Sequence, residues 1–564
     1  MRATSKSASM RATTTSASPR RRAVAACLLL WSRSVVAMEG RAWAGSRARL
    51  PDDEVPFPED ALDELLDRTS RSAVLFSGGG SRAFAAALGQ LAALRALGAL
   101  PRVRYIGGTS GGAWAAGSYS FRSPAIDEGD FLGPVVAPEN LTVAGLGTAH
   151  ADAAAAFPAR FPRALLRGLE NLTWRESVAD GWISCAWEIF LEPAGVPRDA
   201  VPTWSAATEA AARRRGGAAL DGARFARVAD AGRQPFPLLG LSVWGPVESL
   251  PQWPDHHVPR VVAASPLYVG SPAATSVDYG NGTVAYGGFV EPHVWGCALA
   301  PAGDGLVATA DAPAPRGCGL RVEDAIGISS WFAGGALASF RHLPELANAH
   351  LGVERDAYVG GRSRRMLFSD GGSAENLHLS GALQRGCDRI VMFMNFEAPL
   401  ALDYDPVLDP ATEAVVQDDL PAFFGVNLTR TPFGAREASR AFDLGQNQFF
   451  PAADYARVVS ALQASARAGG GGVATLDHVT VDNAAYGVRA GFRATITWVY
   501  LGPSPAWAAR LPPAVAPLLA DDFPNYATAD TALSLVQTQL LHALVASVVL
   551  ANADQFADLA RGRA

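Results

Sequence analysis

A chain of 564 residues exceeds the size at which a single hydrophobic core stops growing, so either two domains or one heavily decorated domain is expected. With 49% hydrophobic and 18% charged residues, the composition is that of a globular protein and excludes a largely disordered chain. The formal net charge of -6 is nearly neutral for this length, and no basic run appears after residue 50, which argues against nucleic acid as a partner.

Residues 1–50 have the composition of a targeting segment. They are rich in Arg, Ser and Thr and contain a single acid, Glu39. Three arginines at 20–22, followed by A-V-A-A-C-L-L-L-W, resemble a secretory signal peptide, with A-W-A at Ala42 to Ala44 as a cleavage motif. An Arg- and Ser-rich leader also suits a plastid or mitochondrial transit peptide. We expect a secreted protein or one of the endomembrane lumen, with a plastid protein or a cytoplasmic, peripherally membrane-bound protein as alternatives.

Glycosylation motifs and cysteines bear on the same question of compartment. N-x-S/T triplets occur at Asn140, Asn171, Asn281 and Asn427. Chance would give roughly one or two, so they slightly favour a secreted glycoprotein. Beyond the leader, the cysteines are Cys185, Cys297, Cys318 and Cys387. Cys297 and Cys318 flank a loop rich in Gly, Pro and Ala, and they form either a disulfide or two ordinary buried thiols. No C-x-x-C motif or His/Cys cluster is present, so neither a metal site nor a cofactor is predicted.

The first sharp structural signals lie between residues 73 and 119. The apolar run A-V-L-F predicts a strand, which S-G-G-G ends. Residues 82–97 are rich in Ala and Leu on every side, which predicts a helix packed against a sheet. A second strand follows at V-R-Y-I-G-G, and a second Ala-rich helix at 111–119. This alternation predicts an α/β fold with a parallel sheet covered by helices.

The rest of the chain contains a lead-in, an insertion and further strands. Residues 51–70 are acidic, with a short helix expected from Glu59 to Arg68. Residues 121–230 are mostly helical and loop-like, so we expect an insertion beside the core. Core strands are predicted at P-F-P-L-L-G-L-S-V-W, D-R-I-V-M-F-M and R-A-T-I-T-W-V-Y. Four glycines at 469–472 predict a loop.

The apolar stretch near the C-terminus is a candidate membrane span by hydropathy alone. It contains Gln537, Gln539 and His542. These polar side chains favour a packed terminal helix, so no transmembrane span is expected in the mature chain.

Ser110 lies between glycines in G-T-S-G-G at 108–112, directly after the second strand and before the second helix. In that context small neighbours permit a tight, strained turn that exposes the serine hydroxyl at the positive end of a helix. The motif alone has little specificity in a Gly-rich chain.

The S-G-G-G stretch provides what a serine nucleophile also needs. Attack on an ester creates a negative oxygen, and glycine backbone at a helix start can direct N–H groups at it. We assign this oxyanion role to Gly79 and Gly80, with Gly78 shaping the turn. Arg82 would place a positive charge beside the same groups, suited to holding a phosphate.

Asp370 is the candidate base for Ser110. It lies in M-L-F-S-D-G-G-S-A-E-N-L, after an apolar strand-like run and before two glycines that expose it. Most D-G-G sequences are only turns.

Three motifs together carry a family resemblance. F-S-G-G-G-S-R-A, G-G-T-S-G-G-A-W and S-D-G-G-S-A-E-N-L, in this order, resemble the catalytic signatures of the cytosolic phospholipase A and lysophospholipase group of the patatin-like superfamily. Weaker similarities include G-I-S-S-W-F at 327–332 and D-F-P-N-Y-A-T at 522–528. The resemblance implies a three-layer α/β/α patatin-like catalytic domain over residues 51–564, with helices on both faces of the sheet and the insertion at 121–230 acting as a lid or cap.

The resemblance also implies a mechanism and a substrate class. In that group a serine and an aspartate form a dyad without histidine, two loop glycines form the oxyanion hole, and an arginine contacts the lipid phosphate. Matched by motif, these residues are Ser110, Asp370, Gly79, Gly80 and Arg82. The expected activity is hydrolysis of phospholipid or lysophospholipid esters at a membrane surface, through an acyl-serine intermediate.

Two other functions remain open from the sequence. In an α/β-hydrolase, a histidine after the acid would serve as base, and His378 and His478 both follow Asp370. A non-catalytic relative that binds lipid or a protein is the second alternative, which intact Ser110 and Asp370 argue against.

Overall fold

A computed structural model describes residues 38–52, 57–62, 65, 71–148, 154–160, 178–228, 234–252, 259–309, 318–332, 353–427 and 444–560. The strands are β1 Glu39–Trp43, β2 Ser72–Phe76, β3 Tyr105–Thr109, β4 Val201–Thr203, β5 Phe225–Arg227, β6 Phe236–Pro246, β7 Arg260–Ala264, β8 Val269–Ser271, β9 Ser276–Asp278, β10 Thr283–Ala285, β11 Gly288–Val290, β12 Leu299–Gly303, β13 Leu306–Thr309, β14 Val353–Val359, β15 Arg362–Asp370, β16 Arg389–Met394, β17 Val473–Val479 and β18 Arg493–Tyr500. The helices are α1 Gly80–Ala96, α2 Gly111–Phe121, α3 Glu128–Leu132, α4 Val143–Thr148, α5 Val178–Ala186, α6 Ala206–Gly216, α7 Val322–Ser329, α8 Leu379–Gln384, α9 Asp419–Ala422, α10 Ala453–Arg467, α11 Pro505–Ala508, α12 Leu535–Ala551 and α13 Ala553–Ala560.

One 14-stranded mixed sheet organises the fold. Its main path runs β12-β13-β1-β11-β8-β7-β6-β3-β2-β16-β18-β17, and the hairpin of β14 and β15 joins it at β6. Strands β6, β3, β2, β16 and β18 are parallel to one another. An antiparallel extension on one side of them contains β7, β8, β11, β1, β13 and β12, whereas β9 and β10 form a separate two-stranded sheet. The predicted α/β fold with a parallel core is therefore confirmed.

Helical segments cover both faces of the parallel strands. Phe393 of β16 pairs with Val499 of β18, so the neighbouring Trp498 points to the opposite face. Phe393 stacks on Phe556 of α13, with ring centroids 6.3 Å apart. On the other face, Trp498 lies 5.8 Å from the ring of Phe424, which follows α9. The architecture is therefore a three-layer α/β/α arrangement.

Helix α1 shows why its sequence is apolar on every side. All its residues from Gly80 to Leu94 are buried, because the helix packs between the sheet and α12. The two helices approach closely at Gly89, where a Cβ would lie 2.6 Å from the carbonyl oxygen of His542. Helix α12 is thus the packed terminal helix that the sequence predicts. Among the described residues, none of the helices combines the length and the hydropathy needed to cross a bilayer.

The region predicted as a helical insertion is described in part. Helices α3 to α6 lie within it, and so does a small parallel pair of strands, β4 and β5, separate from the main sheet. Phe121 still belongs to α2, and residues 149–153, 161–177 and 229–233 lie outside the described part. The role of this region as a lid or cap stays a prediction.

The N-terminal part of the described chain is built into the sheet. Strand β1 pairs with β11 on one side and β13 on the other, and Met38 and Leu50 are buried. Cleavage at the predicted A-W-A motif would therefore remove a strand from inside the sheet. Asn171 and the leader before Met38 lie outside the described residues.

The lead-in before β2 is described only in part. A short 3₁₀ turn at Pro58–Ala61 stands where the expected helix begins, Leu65 is helical, and residues 63–64 and 66–70 lie outside the described part, so the rest of that helix stays a prediction. Glu59 is drawn into the interior, where its carboxylate accepts hydrogen bonds from Arg385 at 2.9 Å and from the hydroxyl of Tyr268 at 2.9 Å. This buried ion pair fixes the turn against the sheet.

The question left open about the cysteines has an answer. Cys297 and Cys318 are joined by a disulfide, which closes the segment that contains the β12–β13 hairpin, whereas Cys185 and Cys387 are buried thiols.

Candidate active site

The site forms where two strands meet end to end. Strand β3 pairs with the first half of β6, so that Thr109 lies opposite Gly240. Strand β15 pairs with the second half of β6 on the same edge but runs in the opposite direction, and its last residue, Asp370, lies opposite Leu241. The ends of β3 and β15 therefore face each other across neighbouring residues of one strand.

Ser110 occupies the turn between β3 and α2. Its φ of 53° is a conformation that residues other than glycine rarely adopt. The turn is held by Ser329, whose hydroxyl accepts the N–H of Ser110 at 2.9 Å and donates to the carbonyl of Gly240 at 2.5 Å. The Ser110 side chain is thus presented at the start of a helix, as the sequence predicts.

The glycines around Ser110 are required by close backbone contacts. A Cβ on Gly111 would lie 2.4 Å from the carbonyl oxygen of Gly80, and one on Gly112 would lie 2.3 Å from that of Phe76. The two Gly-rich motifs therefore pack directly on each other, which only residues without side chains permit.

Asp370 contacts the serine directly. The Ser110 hydroxyl donates to Oδ2 of Asp370 at 3.1 Å, and the N–H of Gly372 donates to Oδ1 at 2.8 Å. Loss of hydration raises the pKa of Asp370 to about 7, although the bonds from Gly372 and Ser110 oppose the shift. A carboxylate with such a pKa is a far better proton acceptor near neutral pH than an ordinary aspartate.

Each glycine of the D-G-G motif is needed for a different reason. A Cβ on Gly371 would lie 2.3 Å from the carbonyl oxygen of Gly240 and 2.7 Å from the Thr109 side chain. The first glycine therefore lets β15 end against β3 and β6. The second, Gly372, supplies the N–H that orients the Asp370 carboxylate.

The S-G-G-G loop lies beside Ser110. The Gly78 N–H is taken by Asn376, whose Oδ1 accepts it at 3.1 Å, so Gly78 shapes the loop. Gly79 and Gly80 have φ values of 128° and 60°, both conformations that favour glycine. Gly79 lines the cavity above Ser110, whereas Gly80 packs under it against Gly111. Their role as oxyanion donors stays a prediction.

Arg82 is buried and lines the same cavity. Its Nε donates to the carbonyl of Asn395 at 3.0 Å, and its two terminal nitrogens donate to the Tyr526 carbonyl and the Thr528 hydroxyl. Burial lowers its pKa to about 10, so the guanidinium stays charged at neutral pH. Among the described residues Arg82 forms no direct ion pair, and the Glu397 carboxylate favours its charged form from a greater distance.

A cavity of about 250 Å³ opens above the dyad. Ser110 and Asp370 are both partly exposed to it, and two aromatic side chains, Phe332 and Phe396, form part of its wall. The remaining lining residues include the carboxylates Glu397, Glu413, Asp418 and Asp419. In the part of the chain that the structure describes, no group of three His, Cys, Asp or Glu is arranged to hold a metal ion.

The two histidines of the alternative triad lie elsewhere. His378 is buried, neither ring nitrogen has a hydrogen-bond partner among the described residues, and burial lowers its pKa to about 3. His478 is held between Asp454 at 3.0 Å and the indole N–H of Trp498 at 3.1 Å. Neither histidine contacts Ser110, whose hydroxyl donates to Asp370.

Sequence reasoning missed the segment that holds both members of the dyad. Ser329 fixes the backbone of Ser110, and the carbonyl of Trp331, two residues later, accepts the N–H of Asp370 at 3.1 Å. Ser242 of β6 adds a hydrogen bond to the Asp370 carbonyl at 2.7 Å. The G-I-S-S-W-F motif was the available signal, but it gave no indication of this role.

Comparisons with known proteins find similar solved structures but no match among family models or curated proteins. Among solved structures, human GIVD cytosolic phospholipase A2 matches with a TM-score of 0.45 and 14% identity over 88% of this chain and 62% of that chain. Its complex with methyl gamma-linolenyl fluorophosphonate gives 0.40 and 16%, and the complex that also contains terbium chloride gives 0.39 and 15%, each over 88% of this chain and 59% of that chain.

The chain therefore spans about three fifths of the length of those structures. At such low TM-scores and identities the likeness carries no conclusion about activity, and function has to be inferred from the site itself.

Proposed function

We propose that the protein is a lipid acyl hydrolase that cleaves fatty-acid esters of phospholipids or lysophospholipids with a Ser110/Asp370 dyad. One observation carries the proposal: the hydroxyl of a serine in a strained turn donates to a carboxylate of raised pKa, at the floor of an open cavity. Nucleophile and base at hydrogen-bond distance are the minimum that acyl transfer to serine requires.

The reaction proceeds in two halves. Oγ of Ser110 attacks the ester carbonyl carbon while Asp370 takes the hydroxyl proton. The C–O bond to the leaving alcohol then breaks, Asp370 returns the proton to that alcohol, and an acyl-serine remains. A water molecule gives a proton to Asp370 and attacks the acyl carbon, and collapse returns that proton to Oγ and releases the fatty acid.

The negative oxygen of each tetrahedral intermediate needs donors. We assign the N–H groups of Gly79 and Gly80 to it, because the Gly78 N–H is already bound by Asn376. Gly79 lines the cavity next to Ser110. Loss of one such donor typically costs about 3 kcal/mol of transition-state stabilisation.

Arg82 favours a phosphate-containing substrate. It is a buried cation at the cavity wall, it has no direct carboxylate partner among the described residues, and it stays charged at neutral pH. A phosphodiester placed beside it would accept hydrogen bonds from the guanidinium and add to the weak counter-charge that the Glu397 carboxylate provides. A neutral galactolipid would add no such charge.

Fatty-acid release tests the proposal. Wild type should hydrolyse phosphatidylcholine or its lysolipid faster than a galactolipid, and Ser110→Ala and Asp370→Asn should each lose activity by about 10³-fold or more. His378→Gln is the matched control. The triad alternative predicts that this variant loses activity, whereas the dyad predicts that it stays active. Near-full turnover by Asp370→Asn would show that Asp370 is not the base.

We also propose that the protein folds in an oxidising compartment, either secreted or in the endomembrane lumen. The disulfide between Cys297 and Cys318 supports this, and so does the exposure of the described acceptor asparagines, Asn140, Asn281 and Asn427. Glycosidase treatment of protein from its native source should lower its mass. An unmodified chain with reduced Cys297 would contradict the proposal.

A further inference from the structure

We propose that Val407 and Leu408, the apolar tip, insert into a zwitterionic lipid bilayer and hold the active site against it. The inference rests on the proposed lipid hydrolase function, because it assigns a docking surface to that same site. Val407 is 76% exposed and Leu408 is 80% exposed, the two highest values among large hydrophobic side chains of the described residues. Aliphatic side chains exposed at a loop tip gain free energy when hydrocarbon covers them.

The tip lies at the same edge of the sheet as the site. Ser110 follows the C-terminal end of β3, and the parallel strands all end at that edge. Strand β17 runs antiparallel to β18, and its first residue, Val473, pairs with Val499 near the end of β18. Helix α10 ends at Arg467, shortly before β17, so its C-terminus also lies at this edge.

Hydrogen bonds tie the loop of the tip to the end of α10. The side-chain amide of Gln463 donates to the carbonyls of Ala401 and Tyr404, each at 2.8 Å. Arg467 donates to the carbonyl of Leu402. The loop is therefore anchored at the edge that contains Ser110.

The tip itself is a fixed turn. The Asp405 carboxylate accepts the N–H groups of Val407 at 2.9 Å and Leu408 at 3.2 Å. The N–H of Asp409 donates to the Asp405 carbonyl at 2.9 Å. Two aliphatic side chains are thus held outward rather than folded back, which reduces the ordering needed for insertion.

A further exposed hydrophobic residue lies at the cavity. Phe332 is 69% exposed and lines the cavity above Ser110. The three most exposed large hydrophobic side chains of the described residues therefore all lie at the edge where a lipid would enter.

Charge selects the kind of bilayer. The segment from Asn395 to Asn427 contains seven Asp or Glu and no Lys or Arg. Three of the acids, Asp403, Asp405 and Asp409, flank the tip. An anionic surface would repel this segment, whereas zwitterionic lipid would not. A basic protein partner is the other class of occupant that such a segment fits, and the experiment separates the two.

Vesicle flotation tests the docking. Wild type should float with phosphatidylcholine vesicles, and the double variant Val407→Ser, Leu408→Ser should bind about tenfold more weakly or worse, because two aliphatic side chains no longer enter hydrocarbon. Val407→Trp should bind more tightly, since Trp favours the bilayer interface. An equal mixture with phosphatidylglycerol should weaken wild-type binding.

Hydrolysis of a short-chain, water-soluble ester separates docking from chemistry. The double variant should keep the wild-type rate on this ester and lose rate only on vesicles. Equal flotation of the double variant and wild type, absence of wild-type binding, or binding that grows with anionic lipid would each overturn the docking proposal. Flotation as expected without any Ser110-dependent hydrolysis would instead contradict the proposed function and leave the docking intact.

Discussion

The hydroxyl of Ser110 lies 3.1 Å from the carboxylate of Asp370, although 260 positions separate them in sequence. The contact arises because β3 and β15 approach each other along one edge of β6 and stop at neighbouring residues, Gly240 and Leu241. The position of the base is thus set by strand pairing and does not depend on a flexible loop.

Gly371→Ala should disrupt this junction. The new Cβ would meet the Gly240 carbonyl at 2.3 Å, and backbone cannot move aside as a flexible side chain can. We expect a loss of about 1–3 kcal/mol in the free energy of unfolding, with a larger loss of activity because Asp370 shifts away from Ser110. Chemical denaturation and ester hydrolysis measure both. Gly502→Ala is the matched control, since its Cβ meets open space. Equal stability and activity of the two variants would refute the claim that Gly371 has to be glycine at this junction.

The rate should depend on pH through Asp370. The base must be ionised to accept the Ser110 proton, and its pKa is about 7. The value of kcat/KM on a soluble ester should therefore rise from pH 5 and level off above about pH 8, with one apparent pKa near 7. A rate that is already constant from pH 5 upward would mean that the active base is not this carboxyl.

Asp370→Asn should stabilise the fold at alkaline pH. The folded state holds the Asp370 proton up to a pKa of about 7, while the unfolded chain releases it at its ordinary value of 3.8. Wild-type stability therefore falls as pH rises between these values, and the variant lacks that loss. We expect it to be more stable by about 1–3 kcal/mol at pH 8, with a smaller difference at pH 4. Melting temperatures of wild type and variant at both pH values measure this difference. Equal melting temperatures at pH 8 would show that the ionised Asp370 carboxylate does not destabilise the fold.

Ser329→Ala should slow catalysis without unfolding the protein. It leaves the N–H of Ser110 without its acceptor, and an unsatisfied buried donor costs about 1–3 kcal/mol. Because that strain falls on the turn of the nucleophile, we expect kcat to fall about 10–100-fold with little change in KM. Ser330→Ala is the control, because its hydroxyl donates to the carbonyls of Ile326 and Gly327 and accepts the indole N–H of Trp182, and none of these groups belongs to the Ser110 turn. A positioning role for Ser329 is excluded if both variants behave alike.

Truncation should locate the start of the folded chain. A protein beginning at Met38 keeps β1 and the two hydrogen bonds between Met38 and Thr309, each at 3.0 Å, and should fold and react like the full chain. A protein beginning at Gly45 lacks β1 and should lose more than about 3 kcal/mol in stability or fail to fold. Comparable thermal melting of the two proteins would show that cleavage at Ala44 is compatible with the fold.

Local patterns in the sequence predict the parallel core well. The runs at β2, β3, β6, β16 and β18 all form strands, and the Ala-rich runs at α1 and α2 form helices. Burial on both faces makes such strands continuously apolar, so composition alone identifies them.

Contacts between distant residues explain what the sequence did not reveal. Gly371 has to be glycine because of the Gly240 carbonyl, and Ser329, which accepts the N–H of Ser110, lies 219 positions away in the sequence. Strand β1 lies inside a segment whose composition resembles a leader. It was not predicted as a strand because its pairing partners, β11 and β13, lie about 250 residues away. No local pattern contains these partners, and they become visible only once the sheet order is known.

Covalent labelling tests the dyad most directly. A fluorophosphonate reacts only with a serine whose proton is accepted by a nearby base, so the adduct, mapped by mass spectrometry of the digested protein, should lie on Ser110. Labelling should be absent in Ser110→Ala and at least about 10²-fold slower in Asp370→Asn. An adduct on another residue, or equal labelling rates of wild type and Asp370→Asn, would contradict the Ser110/Asp370 dyad.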